Sequence, residues 1–237
     1  MAIAFVQKAT NASAQPQLTG VAGSDFLTLS LFYILSGTGA ATPTFTDSTT
    51  QLWNADNVPT PQGRSGDWVG VANFSLPNAN AGTHTLTVSV TGSLVVGYAM
   101  AEWSGMPLTA SLDQIGLTGG TTYTTQTMAC TANATTAQAS ELAIVCMGIH
   151  TGSGASAAIT DPPTGTGTWI SLALDNTWQS SDFGYESAYQ ILSSTGRPSA
   201  SWNWTGSTTD TYQSAMTTYG AASASKGGLM LSLMGVG

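Results

Sequence analysis

The sequence predicts an all-β protein, an antiparallel β-sandwich of jelly-roll-like character built from two similar halves. Three observations carry this. Leu86, Val88 and Val90 alternate with Thr85, Thr87 and Ser89, the period of two expected of a strand with one buried face. Glycine and proline punctuate the chain at short intervals (59–63, 77–80, 119–120, 152–154, 162–165), as turns do. No stretch combines helical periodicity with capping residues.

Taken in order, the first half gives strands over 3–7, 26–35, 43–46, 51–53, 68–76, 83–90 and 94–103. The second gives 124–130, 142–149, 157–160, 168–173, 184–192, 199–204 and 215–219. Each is a β-branched, aromatic or alternating run between turn signals. A last strand, 228–235, has no counterpart in the first half. The join at 110–122 reads as an ordinary connection.

The halves resemble each other. Asp25 and Glu141 each lead an apolar strand; Phe45-Thr46-Asp47 is answered by Ile159-Thr160-Asp161, Trp53 by Trp169, and Asp67-Trp68 by Asp182-Phe183. Met100 and Trp103 are answered by Met216 and Tyr219. Short similarities in one order at nearly one offset point to a duplication, with pseudo-repeats over about 1–115 and 116–237. The expected organisation is a single sandwich, 1–237, whose two halves complete each other's sheets. The alternative is two tandem sandwiches split near 110–122.

Charge is the anomaly. Asp, Glu, Lys and Arg make up 7% of the 237 residues, where about 25% is usual. Thr, Ser, Ala, Gly and Asn take their place, giving a polar, nearly uncharged surface with little repulsion between copies. Lys8, Arg64, Arg197 and Lys226 face twelve acids, for a net charge of −8. Four scattered cations exclude phosphate-driven nucleic-acid binding and a polybasic membrane contact. The N-terminus reads as a first strand and not a signal peptide, so either a mature, truncated chain or synthesis in a host cytoplasm without export is expected. Cys130 and Cys146 could pair across neighbouring strands but make no disulfide framework, and Cys146 lies in an apolar run where a free thiol acts as a small hydrophobe.

Candidate chemistry is sparse. Trp202 and Trp204 share the face of the alternating strand that Val88 and Val90 occupy in the first copy, and are expected to point inward. Trp53, Trp68, Trp103 and Trp169 also hold positions that stay large and apolar in both halves. Trp178 alone has no counterpart and falls in a polar stretch; with Asp175 and Asp182 it is the candidate contact to a partner or glycan. Asp47, Asp56, Asp67, Asp161, Asp175 and Asp182 recur at strand ends, but no Asp-x-Asp-x-Asp loop appears, so turn aspartates are expected and no metal or cofactor. His84 is expected on the polar side of its strand. His150 precedes Thr-Gly-Ser-Gly-Ala-Ser, which is not a Gly-x-Ser-x-Gly elbow. Glu102 and Glu186 could form a glycosidase pair, yet each sits beside an aromatic, as a surface acid between strands would. An enzyme is not expected.

The ordered set Asp25-Phe-Leu-Thr-Leu, Thr46-Asp47, Trp53, 81–88 (Ala-Gly-Thr-His-Thr-Leu-Thr-Val) and 101–105 (Ala-Glu-Trp-Ser-Gly) resembles a diffuse group of β-sandwich proteins of bacterial and phage genomes, commonly without an assigned activity. The resemblance covers most of the chain and carries no catalytic motif. Its phage members imply a virion surface role, as a capsid decoration, cement or fibre protein. Such a protein would contact copies of itself and a capsid lattice. The other expectation is an extracellular carbohydrate-binding or adhesin module.

Overall fold

The computed structural model describes residues 2–11, 15–36, 43–64, 67–120, 127–150, 158–178, 183–205 and 211–220. Among these the chain is all-β and antiparallel. The first half contains β1 (Ala4–Asn11), β2 (Gln17–Val21), β3 (Phe26–Ser36), β4 (Thr44–Asp47), β5 (Asn54–Asn57), β6 (Gln62–Arg64), β7 (Asp67–Leu76), β8 (Gly82–Ser89) and β9 (Ser93–Ser104). The second contains β10 (Ser111–Gly120), β11 (Thr127–Thr131), β12 (Leu142–His150), β13 (Ala158–Ile159), β14 (Thr164–Gly165), β15 (Ile170–Trp178), β16 (Phe183–Ile191), β17 (Ser199–Thr205) and β18 (Thr211–Gly220).

These strands form four sheets stacked as two β-sandwiches back to back. In the first half a large sheet, β1-β9-β3-β7-β5 with β6 also on β7, is covered by a small one, β2-β8-β4. In the second, β10-β18-β12-β16-β15 is covered by β11-β17-β13, with β14 also on β17. Set β1, β9, β3, β7 and β5 against β10, β18, β12, β16 and β15, and the two orders correspond position by position. Both first strands also break register by one residue at matching places, at Val6 between Phe5 and Gln7 and at Asp113 between Leu112 and Gln114. Every strand pairing among the described residues stays within its own half. The final segment expected as a strand, 228–235, lies outside the described residues.

Period-two side chains explain the layering. On β3, Phe26, Phe32 and Ile34 point toward the second sandwich while Leu27, Leu29, Leu31, Tyr33 and Leu35 point toward the small sheet of their own half. On β12, Leu142, Ile144 and Cys146 meet the first sandwich, and Ala143, Val145, Met147 and Ile149 face β11 and β17. Strands buried on both faces need no polar residue in alternation, hence their continuous apolar runs. Trp202 and Trp204 are 0% and 3% exposed, so the large rings of β17 do point inward.

The middle core is sealed by rings. Phe32 stacks on Tyr185 with centroids 4.3 Å apart, and Phe26 meets Tyr219 edge-on at 5.0 Å. Side-chain amides then tie the sandwiches together. Asn57 Nδ2 donates to Gly116 O and Met216 O (2.9 and 3.0 Å), and Asn73 Nδ2 to Ala215 O (3.2 Å). Gln213 accepts Val71 N–H at 2.9 Å and donates to Thr60 O at 2.6 Å. Buried hydrogen bonds with such fixed geometry set one relative placement of two otherwise smooth apolar faces.

Candidate functional site

A cleft and a buried polar network lie on the first sandwich, where β4 ends. Asp47 Oδ1 accepts the N–H of Thr49 at 2.9 Å, closing a tight turn in which Thr50 takes a positive φ of 60°. The turn swings the following residues back, so Trp53 Nε1 reaches Asp47 Oδ2 at 2.9 Å. On the same oxygen sits His84 Nδ1, from β8, at 2.8 Å; His84 Nε2 faces Asn80 O at 2.9 Å. Thr49 Oγ1 also lies 3.4 Å from Nδ1, so the ring is held between three oxygens. Burial works against the charged form of Asp47, but the bonds from Thr49, His84 and Trp53 outweigh it and hold the carboxyl below its usual range.

His84 corrects an expectation. Two residues before Leu86, it shares the inward face of β8 and is fully buried, not on the polar side. Its hydrogen bonds satisfy both nitrogens, which lets a polar ring occupy an apolar face.

Around the outer side of this network lies a cleft of about 480 Å³. Phe45, Trp53 and Phe74 supply its rings, with Phe45 edge-on to Trp53 (5.8 Å, 81°) and to Phe74 (4.9 Å, 88°). Pro43, Ala55 and Leu52 add apolar wall, and Thr44, Thr46, Thr50 and Gln51 add polar groups. Gln51 is fixed by Asn78 O and by the N–H of Asn80. Leu52 is 91% exposed. The one ionised group lining the cleft, Asp47, has its oxygens engaged. No nucleophile stands beside a base here; the arrangement can bind an uncharged, largely apolar group.

Of the residues singled out in the sequence, Asp47, Trp53 and His84 meet here, whereas the candidate contacts Asp175 and Trp178 lie on β15 of the second sandwich. Asp175, half-buried on β15, sits opposite Tyr185 and helps burial raise that phenol's pKa. Trp178 is the last residue of β15, its backbone paired with Phe183, so it ends a strand rather than lying in a loop. Asp182 lies outside the described residues, as does 151–156 after His150. His150 itself ends β12 and stacks on Phe183 at 4.3 Å.

Glu102 and Glu186 are corrected too. Both are 0% exposed, because the neighbouring Trp103 and Tyr185 point into the middle core and period two sends the acids the other way. They lie in different sandwiches and form no catalytic pair. Each instead faces an aspartate, as does a third buried glutamate. Glu102 accepts from Gln7 Nε2 and Ala22 N, and lies against Asp25, whose carboxyl burial and Glu102 together push up to about 6. Glu141 is pushed up to about 7 by burial and by Asp113. Glu186 is pushed up to about 9 by burial and by Asp161, and neither of its oxygens completes a hydrogen bond among the described residues.

Cys130 and Cys146 are free, buried in different cores, and burial pushes the Cys130 thiol up to about 11. Among the described residues no three of His, Cys, Asp and Glu gather as they would around a cation. The cleft itself was missed because its rings come from three separated segments. Its one local signal was Leu52-Trp53, one residue after the Thr49-Thr50 turn. Comparison with protein-family models, with curated proteins and with solved structures finds no match for this chain.

Proposed function

We propose that this chain is a non-enzymatic structural protein of a virus particle, a phage capsid decoration, cement or surface fibre subunit. It works through contacts with copies of itself and with a protein lattice. The observation that carries the reading is apolar exposure on both flanking strands of the five-stranded sheet. Leu112, Ile115 and Leu117 lie at least partly in water on β10, and Ile170 and Leu174 on β15. Edge strands of monomers are commonly guarded by lysines or other charges; these two carry only Asp113, engaged by Ala137 N and Gln114, and the half-buried Asp175, with Lys8 of β1 reaching Ser171 O on β15. A surface so poor in charge suits crowding in a symmetric assembly. A subunit that binds only the assembled lattice stabilises it by mass action.

The matching strand orders and matching bulges support a further reading, that the halves descend from one duplicated sandwich. Immunogold labelling of virus particles from the source tests the main proposal: gold on particle surfaces is expected, and gold confined to debris would overturn it. The second reading, a carbohydrate-binding or adhesin module, is favoured by the three-ring cleft. A glycan array with wild type, Trp53→Ala and Trp178→Ala separates the two, because a specific hit lost in either variant supports the lectin.

A further inference from the structure

We infer that the cleft beside Asp47 is a self-association site, in which Leu52 of one copy enters the cleft of a second copy and receives that copy's Leu52 in return. At 91% exposure, Leu52 is the most exposed large apolar side chain among the described residues, the next being Leu108 at 56%. It stands on the wall of a hollow of about 480 Å³ whose lining includes Phe45, Trp53, Phe74 and Ala55. A knob and a hole on one patch are self-complementary. They satisfy a two-fold contact, in which each surface meets its own copy.

Charge selects the same partner. The whole chain carries −8, which sets copies against each other wherever acids face outward. Here the one acid lining the cleft is Asp47, whose buried side chain is turned inward onto Thr49 N–H, Trp53 Nε1 and His84 Nδ1 and away from an approaching copy. The patch is therefore a place where two copies approach without like-charge cost. The apolar wall leaves little for a charged ligand to bind. Threonine hydroxyls at the cleft can form polar contacts around such a buried centre, the usual anatomy of an interface.

The inference extends the assembly role proposed above but is read on the pure chain, without any particle. Sedimentation velocity of the full-length protein, up to roughly 100 μM, measures it. A concentration-dependent dimer is expected for wild type. Leu52→Asp, and Ala55→Trp which fills the cleft, are each expected to weaken it about tenfold or more, while Leu52→Met retains it. Unchanged near-ultraviolet circular dichroism shows that the variants stay folded, and a misfolded Ala55→Trp leaves the exposed Leu52→Asp to decide. A wild type that stays monomeric over this range, or a dimer indifferent to Leu52→Asp, overturns the inference. So does a monomer whose cleft binds a glycan instead. A dimer lost with Leu52→Asp in a chain absent from particles would keep this inference and retire the virion reading.

Discussion

Cys146 and Asn73 meet at the centre of the molecule, the Sγ donating to Oδ1 at 3.3 Å from β12 of one sandwich to β7 of the other. The same Oδ1 accepts Ser30 Oγ at 2.8 Å, and Ser187 Oγ bonds Ser30 Oγ at 3.2 Å. Ser30 and Cys146 occupy matching strands of the two halves, as do Asn73 and Ser187. A single asparagine thus satisfies polar groups from both sandwiches, and its Nδ2 reaches Ala215 O besides.

Asn73→Ala should therefore cost about 2–3 kcal/mol of folding stability, because it leaves a buried hydroxyl and a buried carbonyl short of partners. Urea unfolding of the two proteins measures this. A loss within a few tenths of a kcal/mol would mean that the central node contributes nothing.

The Asp47–His84 pair gives a second stability prediction. Both side chains are fully buried, so Asp47→Ala leaves Thr49 N–H, Trp53 Nε1 and His84 Nδ1 without their shared partner and should cost about 3 kcal/mol. Replacing both residues with apolar ones is expected to recover part of that loss. A double-mutant cycle by chemical denaturation tests it, and strictly additive effects would argue against the pairing.

Gly97 gives a third. A Cβ at this position would lie 2.7 Å from Tyr185 Cε1, across the junction of the two large sheets. Gly97→Ala must displace the ring that Phe32 stacks on, at a cost of about 1–3 kcal/mol. Thermal unfolding of the variant reads the effect directly.

Four buried or half-buried carboxyls set the pH dependence. Asp25 and Asp56 have folded pKa values of about 6, Glu141 of about 7 and Glu186 of about 9, above those of the unfolded chain. The native state holds protons that the unfolded chain has already released, so stability is greatest below the unfolded carboxyl range. It falls as pH rises toward each folded value. Asp47 acts in the opposite sense: its contribution is present above the unfolded value and lost as pH drops through its lowered one. The melting temperature should peak in mildly acidic buffer and decline toward pH 9, with Glu186→Gln flattening the decline between 7 and 9. A wild-type melting temperature that climbs from pH 5 to 9 would contradict this.

Much of the fold was legible because burial on both faces writes itself as unbroken apolar runs, as in β3 and β12, and burial on one face as alternation, as in β8. Edge strands carry no such signal. β10 was read as a connection because Leu112, Ile115 and Leu117 stay partly in water and its bulge at Asp113 breaks the period. Gly116 adds to the disguise, yet a Cβ there would lie 2.4 Å from Thr131 O, so the close crossing of β11 demands glycine. β2 was missed since its pairing skips between Leu18 and Val21 around Gly20, at φ 67°. Residues 51–53, expected as a strand, form the return from the Asp47 turn instead, and β5 begins one residue later. The buried acids were misplaced for a different reason: sequence shows that a carboxyl exists, while the acid it is buried against comes from a distant strand or loop. Asp25 with Glu102 and Asp161 with Glu186 are such cases.

The most direct test of the assembly role is to band virus particles from the source on a density gradient and quantify this chain by mass spectrometry. The account predicts that it co-bands with the particles at a fixed ratio to the shell protein. Recovery only in the soluble fractions, with none in the particle band, would contradict it.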